Sequence, residues 1–580
     1  MKKTVPILKI LYVAVLAVVF THTTQAQTRD ILDSGGILSP EQASYDVKYY
    51  NLTLDVWPDD KSISGTVTIR SLIVQPMYYL VLDLDTMLTV SAIGEALFLE
   101  NDANSQDVVQ KQDVTLRPAV LPLHYTRRAG QIWIDLGRTR QPGETLQVIV
   151  SYHGKPREAR HAPWDGVFTW AHTKSGAHWI ATTCQGEGAD LWWPCKDHVS
   201  DEPDSMDLHI TVPAPLVVAS NGRLVGTSDA GDDRSTYSWH ISQPINIYNV
   251  ALNIAPYELI ESEYKSVTGE TFPFQFYVLP EDFKKGQKIF PEFQEHMRFF
   301  EELLGPYPFR ADKYGVVQTP HLGMEHQSII AYGANFKNGS MTGGKDWGFD
   351  ALHHHELSHE WWGNLITNAG WEDMWIHEGF GTYMQALYCE QLGGQERYDA
   401  FMQSSRDFKN TFAVAPRETK TSNEIYKAPI YPKGAWILHT LRYYIGDEAF
   451  FSALRQLVYP TLKHASATDG SQCRFVTTDD FLRIAESTAG KDLEWFFDLY
   501  LRQPALPVLY VSQNDREVTL RWSSPTGGDF PMPLEVGLGD RIKTVVIPVT
   551  EEGITIKLRK GESFQADPGR RILCEIELSD

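Results

Sequence analysis

One short stretch of the 580-residue chain carries residue types suited to metal chemistry: His355-Glu356-Leu357-Ser358-His359. On a helix, residues four apart stand one above the other on a single face, so the two imidazoles can reach one ion. Glu356 is rotated by about 100° from His355 and can instead address a water carried by that ion. His353 and His354 precede the motif, but only His355 has a histidine four residues later. A catalytic zinc keeps three protein ligands and one open position, so a third ligand is required. Glu378 follows His359 after 18 intervening residues, in Trp375-Ile376-His377-Glu378-Gly379-Phe380. The turn residues Gly363-Asn364 and Asn368-Ala369-Gly370 let a second helix present Glu378 to the first. A His/His/Glu set suits one zinc ion over magnesium or calcium, which prefer oxygen shells.

The joint pattern of His355, Glu356, His359 and Glu378-Gly379-Phe380 resembles that of the aminopeptidase N and leukotriene hydrolase family, a gluzincin group of zinc exopeptidases. Other segments are similar to the family's motifs: Gly323-Met324-Glu325-His326, Tyr431-Pro432-Lys433-Gly434-Ala435, Tyr307-Pro308-Phe309, Gln185 ahead of Pro194-Cys195, and the opening from Asp46 to Leu54. The resemblance implies that His355, His359 and Glu378 hold zinc, that Glu356 moves the proton of the attacking water, and that Tyr431 hydrogen-bonds the tetrahedral oxyanion. It further implies that Glu325, assisted by Gln185, binds the substrate's free amine, and that the backbone at Gly323 and Met324 pairs with the extended peptide. A carboxylate holding an ammonium near the metal fixes the distance from the amino terminus to the scissile bond, which makes an exopeptidase.

The sequence departs from the family at His326 and His377, where asparagine is usual, and each is expected to change the hydrogen bonding to substrate or to a metal ligand. Trp192-Trp193 is read as packing between domains rather than as a cleft wall. The activity implied is removal of the amino-terminal residue from peptides. Two other readings stand beside it: an epoxide hydrolase of the same fold, and a catalytically silent binding module. A scaffold has no need of Glu356, Glu325 and Tyr431.

The elements that must position these residues follow from periodicity. From Asp46 to about Tyr257 apolar residues alternate, as at Tyr50, Leu52, Leu54 and Val56, which predicts strands. Phe290, Phe293, Met297, Phe300 and Leu304 then recur at helical spacing, and Gly305-Pro306 stops the helix. Val316 to Gln327 reads as a strand, and helical patterns run from Asp350 to about Leu501. Period two returns after Pro504. The expected fold is α+β multidomain: an amino-terminal antiparallel β domain (27–260), a thermolysin-like α/β catalytic domain (261–503) and a small β-sandwich-like domain (504–580), with no carboxy-terminal helical domain.

Residues 1–26 read as a signal peptide, with Lys2 and Lys3, an apolar run from Ile10 to Phe20 and Thr24-Gln25-Ala26 as a cleavage site; the alternative is an uncleaved anchor. Export to the periplasm or medium follows, with no membrane span in the mature chain. A net charge of −22 and the lack of a basic run argue against nucleic acid. The expected partners are peptides with a free amino terminus. Five cysteines, Cys184, Cys195, Cys389, Cys473 and Cys574, are too few for a disulfide scaffold. Cys184 and Cys195 are close enough to be bridged, or are buried small hydrophobes.

Overall fold

The computed structural model describes residues 30–96, 120–528, 530–550 and 552–579. The expected signal peptide, residues 1–26, lies outside them. Alternation does what it predicts at Tyr45–Trp57: Tyr50, Leu52, Leu54 and Val56 all point into the core and are wholly buried. This strand pairs antiparallel with Ser62–Ile73, in the register Leu52 to Val67 and Leu54 to Gly65. Its other edge pairs parallel with Ser205–Pro213, Leu52 opposite Leu208. The eight-stranded sheet is therefore antiparallel but for this one pair. A parallel neighbour needs a long crossover, and the chain makes it through two smaller sheets of four and three strands.

Trp192 and Trp193 belong to this amino-terminal core. Trp193 stands edge-on to Tyr50 at 4.8 Å and Trp192 lies 6.3 Å from Phe168. They fill the inside of one domain, which corrects the expectation of packing between domains. Among the described residues no disulfide joins Cys184 to Cys195, and the Cys184 thiol donates to the Tyr248 carbonyl at 3.6 Å. The buried-hydrophobe reading of this pair is the one that holds.

The second core starts with a five-stranded sheet made of Glu258–Lys265, Thr271–Val278, Tyr314–Gln318, Ile330–Tyr332 and Gly323–Met324, the last at its edge. The strand expected from Val316 to Gln327 is thus two strands with a turn between them. Helix α1 (Phe283–Leu304) covers the sheet with its apolar stripe, Phe293 against Phe276 at 5.5 Å. Helix α2 (Ala351–Ser358) carries the histidine motif, and α3 (Trp375–Ser404) carries Glu378 and breaks at Gly393-Gly394. Short α4 (Ser422–Ile425) leads into α5 (Ile430–Ile445), which carries Tyr431.

Residues after 504 form two small sheets of four and three strands. They share the catalytic core: Phe530 packs on Trp495 at 5.5 Å and on Trp522 at 4.8 Å. Buried Lys433 in α5 donates to the Pro504 carbonyl at 3.0 Å, pinning the start of the tail to the helix that holds Tyr431. Burial pulls the Lys433 ammonium down to about 7. Among the described residues no helix is long and apolar enough to cross a membrane.

Candidate active site

Helix α2 begins where it does because Asp350 caps it. The Asp350 carboxylate accepts the His353 N–H at 3.0 Å and the Tyr332 hydroxyl at 2.5 Å. The eight residues of α2 are all buried, so its polar groups must find partners inside. His359 directs Nδ1 to the Trp362 carbonyl at 2.9 Å, which leaves Nε2 bare. That nitrogen lies 3.2 Å from His355 Nε2. Glu378 Oε2 completes the triangle, 3.4 Å from His355 Nε2 and 3.6 Å from His359 Nε2.

Three atoms at these separations fit one tetrahedral ion, because ligands about 2.0–2.1 Å from zinc stand about 3.3 Å apart. Glu378 Oε2 is buried and receives no hydrogen bond among the described residues, which fits an oxygen that would ligate a metal. The surrounding charge agrees. Glu325, Glu356 and Glu378 are buried together, and burial raises all three carboxyls, Glu325 to about 7. A dication among three desolvated carboxylates offsets that cost. The donor set N, N, O is the borderline set zinc favours.

Glycines let the backbones come this close. A Cβ at Gly381 would meet His355 Cε1 at 3.1 Å, so α3 can lie against α2 only with glycine there. A Cβ at Gly379 would meet Gly434 Cα at 2.8 Å, and the reverse contact is 2.7 Å, so α3 and α5 touch backbone to backbone. Gly323 is hemmed in likewise: a Cβ would lie 2.6 Å from Glu356 Oε1. The edge strand Gly323–Met324 thereby runs directly over the Glu356 carboxylate.

The sequence-derived residues converge on one cavity of about 540 Å³, whose lining includes His355, His359, Glu378, Glu356, Glu325 and Tyr431. Gln185, Gly323 and Met324 line it too. Gln185 reaches in from the amino-terminal domain and donates through Nε2 to Glu325 Oε1. The Tyr431 hydroxyl donates to Glu378 Oε1 at 2.7 Å. His377 points away from the cavity and accepts the Asn368 N–H on Nε2 at 3.0 Å, holding the turn between the two ligand helices. His326 is buried with Nδ1 unpartnered, and burial lowers its pKa to about 3.

Sequence reasoning missed two tyrosines. Tyr248 donates to Glu325 Oε1 at 3.2 Å. Tyr426 donates to Gln185 Oε1 at 3.0 Å and to Glu378 Oε1 at 3.3 Å, linking Glu325, through Gln185, to Glu378. No motif spacing singles either out: one sits in the single 3-10 turn Ile247–Asn249 of the first domain and the other on the turn before α5. Trp164 and Glu187, which also line the cavity, were missed for the same reason.

Residues 46–248 match the Peptidase M1 N-terminal domain and residues 290–500 the Peptidase family M1 domain. Aminopeptidase 2 of Saccharomyces cerevisiae is 24% identical over 306 residues, 50% of this chain and 31% of that protein. A probable aminopeptidase 2 of Sulfurisphaera tokodaii is 24% identical over 398 residues, 65% of this chain and 49% of that one. The chain thus spans between 31% and 49% of the length of these relatives. An M1 zinc metallopeptidase from Deinococcus radiodurans superposes with a TM-score of 0.62 at 23% identity, over 80% of this chain and 94% of that one. Aminopeptidase A of Legionella pneumophila superposes with a TM-score of 0.69 at 18% identity, over 93% of this chain and 60% of that one. Both likenesses concern the fold.

Proposed function

Because the chain belongs to peptidase family M1, we propose that it is a zinc-dependent aminopeptidase that hydrolyses the amino-terminal residue from peptides. The observation that carries this reading is a further buried carboxylate, Glu325, sharing the cavity of Glu356 and the His355, His359 and Glu378 set. An endopeptidase has no use for a carboxylate there, whereas an exopeptidase needs one to hold the substrate's ammonium.

Zinc bound to His355, His359 and Glu378 supplies a Lewis acid that polarises the scissile carbonyl and acidifies water. The protein supplies the rest. Glu325 binds the α-ammonium, with Gln185 and Tyr248 fixing its Oε1. Glu356 stands beneath Gly323, where the peptide backbone is laid as an added strand, and takes the proton of the attacking water before passing it to the leaving amine. Tyr431 turns its hydroxyl from Glu378 Oε1 to the oxyanion as charge develops there. Tyr426 holds Glu378 Oε1 when Tyr431 leaves it. Residues 1–26 direct the chain out of the cytoplasm, and its substrates are peptides in the periplasm or medium.

The test compares zinc-loaded protein on free and acetylated forms of one peptide. Hydrolysis of the free form alone is expected, with Glu325→Ala lowering its kcat/KM by about 2–5 kcal/mol of transition-state binding. Efficient cleavage of the acetylated peptide would make it an endopeptidase. Epoxide opening without peptide turnover would favour the hydrolase reading, and neither activity the silent one.

A further inference from the structure

Among the residues that line the catalytic cavity and that the reaction does not use are Trp164 and Glu187. Trp164 is 68% exposed, unusual for so large a side chain, and no aromatic ring stacks on it among the described residues. Its loop is nevertheless fixed. Asp165 Oδ1 accepts the N–H groups of Arg160 at 2.8 Å and His161 at 2.5 Å. The Gly166 N–H is held by Glu187 Oε2 at 2.6 Å. An ordered loop therefore holds a bare indole at the wall of the substrate cavity.

Glu187 is half-buried, and burial raises its carboxyl above the ordinary range. Its Oε1 receives no hydrogen bond among the described residues. Of the charged groups around it, Asp165 and Asp30 repel it and Arg157 attracts it. Arg157 is already committed to Asp85, through Nε at 2.5 Å and Nη2 at 3.2 Å. Glu187 also borders a neighbouring cavity lined by Arg157 and Arg160, but neither arginine lines the catalytic one. The carboxylate is thus short of a cation on the side that faces substrate.

Position decides which part of a peptide meets this pair. Glu187 follows Gln185 by two residues on the same turn, and Gln185 is hydrogen-bonded to Glu325. The loop bearing Trp164 is tied to that turn through Gly166. Both residues therefore sit at the amine end of the cavity. An apolar ring face with a carboxylate beside it matches a side chain with an apolar stem and a cationic head. A planar guanidinium can stack on the indole while donating to the carboxylate, and an ammonium does this less well. We propose that Trp164 and Glu187 receive the side chain of the substrate's amino-terminal residue and select a basic one, arginine ahead of lysine. This rests on the aminopeptidase reading for its substrate, but its test does not require turnover.

The test is calorimetric binding of free L-arginine, L-lysine, L-norleucine and L-phenylalanine to the zinc-loaded protein. Norleucine has a stem of similar length without the charge. Arginine should bind about tenfold or more tighter than norleucine, with lysine between them. Glu187→Gln keeps an acceptor for the Gly166 N–H and removes only the charge, and should bring the arginine-to-norleucine ratio below about threefold. Trp164→Ala should weaken arginine more than lysine. Norleucine or phenylalanine binding as tightly as arginine would overturn the proposal. So would a Glu187→Gln variant that weakens all four ligands equally, because Glu187 would then serve only to hold the turn at Gly166. Hydrolysis of arginyl- and norleucyl-β-naphthylamide, run in parallel, separates the two ideas. Selective arginine binding without hydrolysis defeats the aminopeptidase reading alone, and hydrolysis of both without preference defeats this one alone.

Discussion

In the proposed mechanism Glu356 and Tyr431 have separable jobs, and single-atom changes can tell them apart. Glu356→Gln keeps the three ligand atoms and removes the proton acceptor beneath Gly323. Zinc should remain stoichiometric while kcat falls by about 10²–10⁴, the usual worth of a general base; a near wild-type rate would remove Glu356 from the mechanism. Tyr431→Phe removes one donor. Because that hydroxyl donates to Glu378 Oε1 at 2.7 Å, two outcomes are distinguishable. An oxyanion donor costs about 10²–10³ in kcat with KM and zinc affinity nearly steady. A group that only orients its ligand costs about 10–100-fold in zinc affinity instead. We expect the first, with Tyr426 keeping Glu378 in place. At this scale the chain itself announces the metal set, because helical spacing alone stacks His355 over His359. It does not announce Tyr248 or Tyr426. Their hydroxyls reach the site from segments far apart in sequence, and a lone tyrosine in a single turn carries no periodic signal.

At the scale of elements, the site depends on helices brought closer than side chains normally permit. The axes of α3 and α5 approach until Gly379 and Gly434 touch, which sets Glu378 and Tyr431 side by side. Gly379→Ala puts a methyl group 2.8 Å from the Gly434 backbone and 3.1 Å from the Ile430 carbonyl, neither of which is a flexible side chain. Overpacking of this kind costs about 1–3 kcal/mol, so the melting temperature should drop by several degrees and zinc affinity should fall with it. Gly226→Ala, where no atom lies within 4 Å of the added Cβ, is the matched control and should do neither. If Gly379→Ala melts and binds zinc like the control, the close approach is not what aligns the ligands. Helix and strand types were legible here from period alone, as at Phe290–Leu304 and Tyr45–Trp57. The break within 316–327 was not, because the turn exists to carry Gly323 over Glu356, a tertiary demand that a run of apolar residues does not encode. Trp192 and Trp193 show the same limit: aromatic character says that a residue packs, and only the fold says against what.

At the scale of the whole molecule, the cavity exists only where the amino-terminal domain meets the catalytic one, since Gln185 and Glu187 come from the first and the zinc ligands from the second. The joint is polar. Asn249 Nδ2 donates to Asn364 Oδ1 at 2.7 Å, and the Thr367 hydroxyl donates to Glu202 Oε1 at 2.6 Å. Thr367 lies on Ile366–Asn368, the strand between the two ligand helices, so Glu202 reports on the joint where it matters most. Burial raises the Glu202 carboxyl to about 7, and neighbouring Asp201 pushes the same way. The folded state therefore holds a proton that the unfolded chain releases near its ordinary value of 4.5. Between those values stability falls as pH rises, because folding must either keep the proton or bury a charge. The contribution is fully present below about 4.5 and is lost as pH climbs through about 7. Glu202→Gln keeps an acceptor for Thr367 and has no proton to lose. It should melt with the wild type at pH 5 and stand above it at pH 8, by on the order of 2 kcal/mol, which is a few degrees. Thermal unfolding of both proteins across that range checks this. A difference that stays constant from pH 5 to pH 8 would mean that Glu202 is ionised throughout, and that the joint rests on its charge instead of its proton.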